Sequence, residues 1–415
     1  MSAPGGVADL LITGAAEVLT CSPRGDDPLG RLTGGVVAVA GERIVAVGSR
    51  AEVEAACDAR AAEVVDAGGG LVTPGFVDCH THVVFGGSRA AEYAAATAGR
   101  LDDFRRRHAT GIPATVAMTR AASSAVLFES AADRLRRMFA HGTTTVESKS
   151  GYGLTTEHEL RLLEVNRRLD AELPVDVVST FLGAHAVPDG IDADRYADLV
   201  VREMIPEVAA QGTAEFCDVY CDSGYFDVAQ SHRILTAGAA VGLGVKLHAD
   251  AYSAIGGSEL AVELGAVSAD HLNLTPETTM SRLAEGGVVG VIMPALDYAV
   301  AHPHPFDARA MLAAGMTLAL ATDICPGCWV ESPQLVLAFA ARRYGLTSSE
   351  ALLAATSGGA LALGLADSRG SLVAGKLADI LLLDADSVDD LVYRIGVNAV
   401  RKVVKRGIVH AVAPA

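Results

Sequence analysis

The chain has 415 residues, half of them hydrophobic and a fifth charged, with a formal net charge of -17. That balance fits an ordered protein with a large core and more than one domain, and it excludes a disordered chain. The excess of acid argues against non-specific binding to nucleic acid or to an anionic membrane, while leaving room for a small anionic ligand held by one local cation.

No apolar run is long enough to span a bilayer, and Met1 to Leu11 lacks a basic stretch followed by an apolar one. Seven cysteines, an odd count at irregular spacing, suit a reducing compartment. The expected location is the cytoplasm.

Residues 1–70 read as short strands and turns. Ala8–Ile12, Gly35–Val39 and Arg43–Val47 are β-rich, and Ala40-Gly41-Glu42 separates the last two as a hairpin turn. From 71 to 365 apolar runs alternate with helical stretches such as Ala131–Ala140 and Glu157–Asp170, the pattern of parallel βα units. Eight candidate strands end near His82, Lys149, His185, Asp222, Asp250, His271, Pro294 and Asp323. The fold class is therefore α/β, a (β/α)8 TIM barrel with its active site at the C-terminal ends of the strands. Residues 366–415 return to β character, with a strand in Gly375–Asp384 and two more in Val400–Val412. An isolated strand pair is marginal. The expectation is one small β-sandwich-like domain from residues 1–70 and 366–415, beside a barrel of residues 71–365.

The stretch Val72–His82 runs apolar into His80-Thr81-His82. On an extended backbone residues two apart face the same side, so the two imidazoles can serve one point. Gly244–Asp250 carries His248 at a strand end, and Thr317–Asp323 carries Asp323. Taken singly, His248 reads equally as a core histidine and Asp323 as a helix cap. Three imidazoles and one carboxylate at strand tips of one barrel instead describe a catalytic metal site with a position left for water.

This arrangement resembles the amidohydrolase superfamily and, within it, the imidazolonepropionase family, which opens the ring of 4-imidazolone-5-propanoate in histidine degradation. The matching stretches are Pro74–Asp78 on to Phe85–Arg89, His141–Glu147, Lys149–Gly153, Ser179–Pro188 and Val267–His271. The resemblance implies that His80, His82, His248 and Asp323 hold one Zn2+ or Fe ion. It implies that Arg89 clamps a propionate and that Tyr152, His185 and His271 contact the ring. It also suggests a homodimer. Asp323 would move the water proton, and His185, His271 or Tyr152 would hold the oxyanion. Lys149 has a second meaning, since some superfamily members bridge two metals with a carboxylated lysine; one metal is the favoured reading.

Three positions depart from the family pattern. Ala251 stands where the family has Glu, and Cys325 and Cys328 stand where it has Asn and Ser or Thr. The expectation is a retained hydrolytic core with an altered ring-recognition surface, acting on 4-imidazolone-5-propanoate or a related anionic cyclic amide. A deaminase, lyase or isomerase on a similar ring is the alternative enzyme, and a catalytically idle binding protein is the alternative outside enzymes. Cys325 and Cys328 read as a redox pair, a soft metal site or, preferred here, small pocket-lining contacts. Cys217 and Cys221 read as buried strand residues.

Overall fold

The computed structural model describes residues 6–412, so the outer ends of the expected terminal domain, 1–5 and 413–415, lie outside it. Eight parallel strands follow one another around a barrel. They are β1 (Phe76–Asp78), β2 (Thr143–Lys149), β3 (Asp176–Ala184), β4 (Phe216–Cys221), β5 (Gly244–Ala249), β6 (Ser268–His271), β7 (Val289–Ile292) and β8 (Leu318–Leu320). Beyond β8 and β1 the Asp323 amide donates to the His80 carbonyl (3.1 Å) and the His82 amide to Ile324 (2.9 Å), which ties the two ends of the sheet together.

The strands are buried on both faces, as a parallel sheet under helices must be. The helix Ser124–Ala140 shows how the sequence arranges this. Its buried Leu127, Phe128, Ala131, Leu135 and Met138 recur at helical spacing, and the Ser123 side chain accepts the Val126 amide to start it. Asp227 and Gln230 form a reciprocal cap on the helix after β4.

The terminal strands make two further sheets. One has four strands, in the order Arg43–Gly48, Val36–Ala40, Leu10–Thr13, Glu63–Asp66. The other has six, ordered Ile408–Ala411, Val400–Lys405, Ile380–Leu383, Leu71–Pro74, Glu17–Leu19, Arg31–Thr33. Ile12, Val37, Val39 and Ile44 of the first sheet share a core with Val18, Val72, Ile380, Leu382 and Val404 of the second. Leu381 and Leu383, one residue out of phase, belong instead to the large core that includes the barrel helices.

Leu71–Pro74, expected at the start of the first barrel strand, instead pairs with Ile380–Leu383 in the six-stranded sheet, Leu71 opposite Leu383. The chain passes between sheets at Gly75, where a β-carbon would lie 2.2 Å from Thr144 Oγ1. β1 is consequently short, and His80 and His82 stand on the loop beyond it rather than on the strand. No helix of the described residues is long and apolar enough to cross a membrane.

Candidate active site

The loops beyond β1 and β8 and the last residues of β5 bring the expected ligand residues together. His80 and His248 rings are 4.6 Å apart, and His80 and His82 rings 5.4 Å apart. Asp323 Oδ1 lies 3.7 Å from Nε2 of both His80 and His82. Asp323 reaches this point from a left-handed backbone, φ +47°. Asp78 stabilises the turn, accepting the Thr322 amide (3.1 Å) and hydroxyl (2.6 Å). Burial pushes the Asp78 carboxyl up to about 7, with the Thr322 bonds opposing.

Three overlapping sets have candidate ligand atoms within 4.8 Å of one another at this end of the barrel: His80, His82 and Asp323; His82, His185 and His248; His80, His248 and His271. His80 Nε2, His82 Nδ1 and Asp323 Oδ1 are buried without a hydrogen-bond partner. Buried unpartnered lone pairs are costly, and a cation shared by His80 Nε2 and Asp323 Oδ1 removes that cost, with His82 Nε2 in reach of the same point. The separation also fits: two donors about 2.1 Å from one tetrahedral ion lie about 3.4 Å apart.

The protonation states suit ligation. Burial lowers the pKa of His80, His82 and His248 well below the usual histidine value, with the Lys149 ammonium adding to it. His185 and His271 are lowered to about 4, again by burial first. All five rings are neutral at pH 7. Burial pushes the Asp323 carboxyl well up, and a cation beside it acts in the opposite direction.

His185 stacks on His82 with ring centroids 5.0 Å apart, and Tyr152 lies 5.2 Å from His185. His185 Nδ1 is 3.1 Å from the Gly151 carbonyl. A carbonyl only accepts, so Nδ1 carries the proton and Nε2 of the neutral ring is an acceptor. Arg89 sits at the edge, half-buried. Its Nε and Nη2 grip Glu92 (2.9 and 2.8 Å), while Nη1 lies 3.4 Å from where a Gly327 β-carbon would stand.

Cys325 and Cys328 form a tight backbone bridge, each amide donating to the other's carbonyl (3.0 and 3.1 Å), and both thiols are free. Burial pushes both thiols up. Protonated thiols speak against the redox reading. Ala251 is buried after Asp250 (φ +53°), and its methyl group has no proton to give or take. Cys217 and Cys221 are buried in β4, as expected.

Sequence reasoning missed several residues. Asp270 Oδ2 lies 2.6 Å from His80 Nδ1, and Asp218 Oδ1 lies 3.0 Å from His248 Nδ1. Tyr220 places its ring 5.4 Å from His248. Their signal was the period of two on each strand: Asp218 with Tyr220, Lys246 with His248, Ser268 with Asp270, Glu147 with Lys149.

Comparison with known proteins gives the family and the fold. Residues 63–120 and 92–410 match the amidohydrolase family model. The chain is 45% identical over 408 residues to the imidazolonepropionase of Halobacterium salinarum, covering 97% of each. It belongs to the amidohydrolase family, beside the imidazolonepropionases. The Geobacillus kaustophilus imidazolonepropionase is 45% identical over 387 residues, 91% of this chain and 90% of that one. An adenosine deaminase from Xanthomonas campestris with bound zinc superposes with TM-score 0.75 at 21% identity, covering 99% and 94%. An A. niger ochratoxinase superposes at 0.70 with 19% identity, covering 98% and 96%. These two share the fold. This amidohydrolase is an enzyme, of a metal-dependent family, and carries a histidine and aspartate cluster suited to a metal.

Proposed function

We propose that this amidohydrolase opens a C–N bond of 4-imidazolone-5-propanoate, with one Zn2+ or Fe ion held by His80, His82, His248 and Asp323. The observation that carries hydrolysis is the buried, unpartnered pair His80 Nε2 and Asp323 Oδ1, 3.7 Å apart, with His82 Nε2 3.7 Å from the same Asp323 oxygen. The observation that supports this ring is 45% identity to imidazolonepropionase over 97% of both chains. That match weighs for imidazolonepropanoate over the altered ring expected from Ala251, Cys325 and Cys328, and over the deaminase, lyase, isomerase and idle-binder readings.

When bound, the ion supplies a Lewis acid that makes hydroxide available near neutral pH. Asp323 takes the proton of the attacking water and returns it to the leaving ring nitrogen. His271 and Tyr152 are the donors for oxygen as charge builds on it. His185 takes a different part from the one expected. With its proton on Nδ1 it presents a lone pair, which accepts a ring N–H, a partner that Ala251 does not offer. Arg89 meets the propionate with the edge that Glu92 leaves free, and the planar fork suits a carboxylate.

The enzyme is proposed to act as a homodimer in the cytoplasm, with the barrel and the terminal β unit as its two domains. The test is turnover of 4-imidazolone-5-propanoate by purified protein, followed by loss of the ring's ultraviolet absorbance. Turnover should stop on chelation and return with Zn2+ or Fe2+. Metal-loaded protein that leaves this ring intact would overturn the substrate. Ammonia released with the ring still closed would select the deaminase reading.

A further inference from the structure

Barrel interiors are ordinarily filled by layers of branched apolar side chains. Here Glu147, Lys149, Asp218, Lys246 and Asp270 lie fully buried beneath the histidines. Lys149 Nζ stands 2.6 Å from Asp218, 3.0 Å from Glu147 and 3.3 Å from Asp270. Lys246 Nζ lies 3.0 Å from the same Glu147 oxygen and donates to the Cys79 carbonyl. An ammonium has three protons, and Lys149 has three carboxylates around it.

Two of those carboxylates face the proposed metal ligands. Asp270 meets His80 Nδ1 and Asp218 meets His248 Nδ1. A carboxylate accepts, so each ring carries its proton on Nδ1 and leaves the Nε2 lone pair free. We infer that Lys149 is a positioning residue: its ammonium joins Asp218 and Asp270 into one unit, which holds His80 and His248 in the tautomer and orientation that serve a single ion. This rests on the metal site proposed above.

The charges support the arrangement. Two lysines against Glu147, Asp218 and Asp270 leave one negative charge in excess, which a cation above them offsets. Without Lys149, nothing bridges Asp218 and Asp270, and each carboxylate is free to turn away from the histidine whose tautomer it fixes. Burial works against charge on Lys149, but Asp218, Glu147 and Asp270 outweigh it and hold the lysine above its ordinary range. The same geometry speaks against the carboxylated-lysine reading. A carbamate would replace the cation with an anion among three carboxylates, so the site takes one ion, not two.

The test uses the full-length protein. Wild type should bind one Zn2+ per chain by elemental analysis, with the ratio unchanged by saturating bicarbonate. Lys149→Met should weaken Zn2+ binding by about 10–100-fold in chelator competition. In metal-free protein, NMR of nitrogen-labelled histidine should show Nδ1–H tautomer lost from His80 and His248 in Lys149→Met. Lys149→Arg, which keeps the charge, should recover part of both. Asp218→Asn keeps the size of its side chain and should weaken binding similarly, which gives a second readout if Lys149→Met does not fold. Two ions per wild-type chain with bicarbonate, or Lys149→Met binding as tightly as wild type, overturns the inference while leaving the metal site standing. Wild type that binds no ion overturns both.

Discussion

Gly151→Ala is the substitution for which the structure supplies the most. Gly151 has φ +100°, and a β-carbon there would lie 2.9 Å from both His185 Nδ1 and the Leu182 carbonyl oxygen. The carbonyl cannot retreat cheaply, because the Leu182 amide is bonded to the Ser150 hydroxyl and the Ser150 amide to Thr180. The unfavourable backbone costs about 1–3 kcal/mol and the forced contact about the same again, so the sum is roughly 2–6 kcal/mol. The easier movement is of the His185 ring, which also breaks its bond to the Gly151 carbonyl. A shift of about 1 Å in a group against substrate costs on the order of 100-fold in rate. The assay pairs thermal unfolding with steady-state kinetics on 4-imidazolone-5-propanoate. Gly190→Ala is the control, since Gly190 has φ +84° with open space around its would-be β-carbon. It should lose stability and keep its kinetics. Gly151→Ala retaining kcat/KM within about twofold of wild type would refute the reasoning that His185 is held in place by this contact.

Other outcomes follow from the same site. Arg89→Lys keeps the charge and loses the fork, so KM should rise by about 10–100-fold with kcat nearly unchanged; equal KM would remove Arg89 as the propionate clamp. His185 and His271 titrate at about 4 in the folded chain against 6.5 unfolded. Between those values the unfolded chain binds more protons, so stability is full above about 6.5 and is lost as pH falls toward 4, by about 3 kcal/mol per ring. Urea unfolding at a series of pH values checks this, and a flat profile from 7 to 4.5 would count against it. Cys325 and Cys328, with thiols held protonated by burial, should alkylate slowly at neutral pH. Rapid inactivation by iodoacetamide would restore the reactive-pair reading.

Local pattern was enough for the barrel, because a period of two and a period of 3.6 are written into adjacent residues. Ser124–Ala140 and Thr143–Lys149 announce a helix and a strand with no help from the rest of the chain. The residues proposed as ligands were legible for the same reason, each being the polar end of an apolar run. The fate of Leu71–Pro74 was not legible, since its apolar residues suit either sheet and the choice depends on Ile380–Leu383, some three hundred positions away.

By itself, the order of residues determined the class of fold, the family and the groups available for chemistry. Only the tertiary structure decided which nitrogen of His80, His185 and His248 is free. That depends on Asp218, Asp270 and the Gly151 carbonyl, partners brought up from neighbouring strands and loops. A proton's place on an imidazole is set by what stands across from it, and pairing register, not spacing along the chain, puts that partner there.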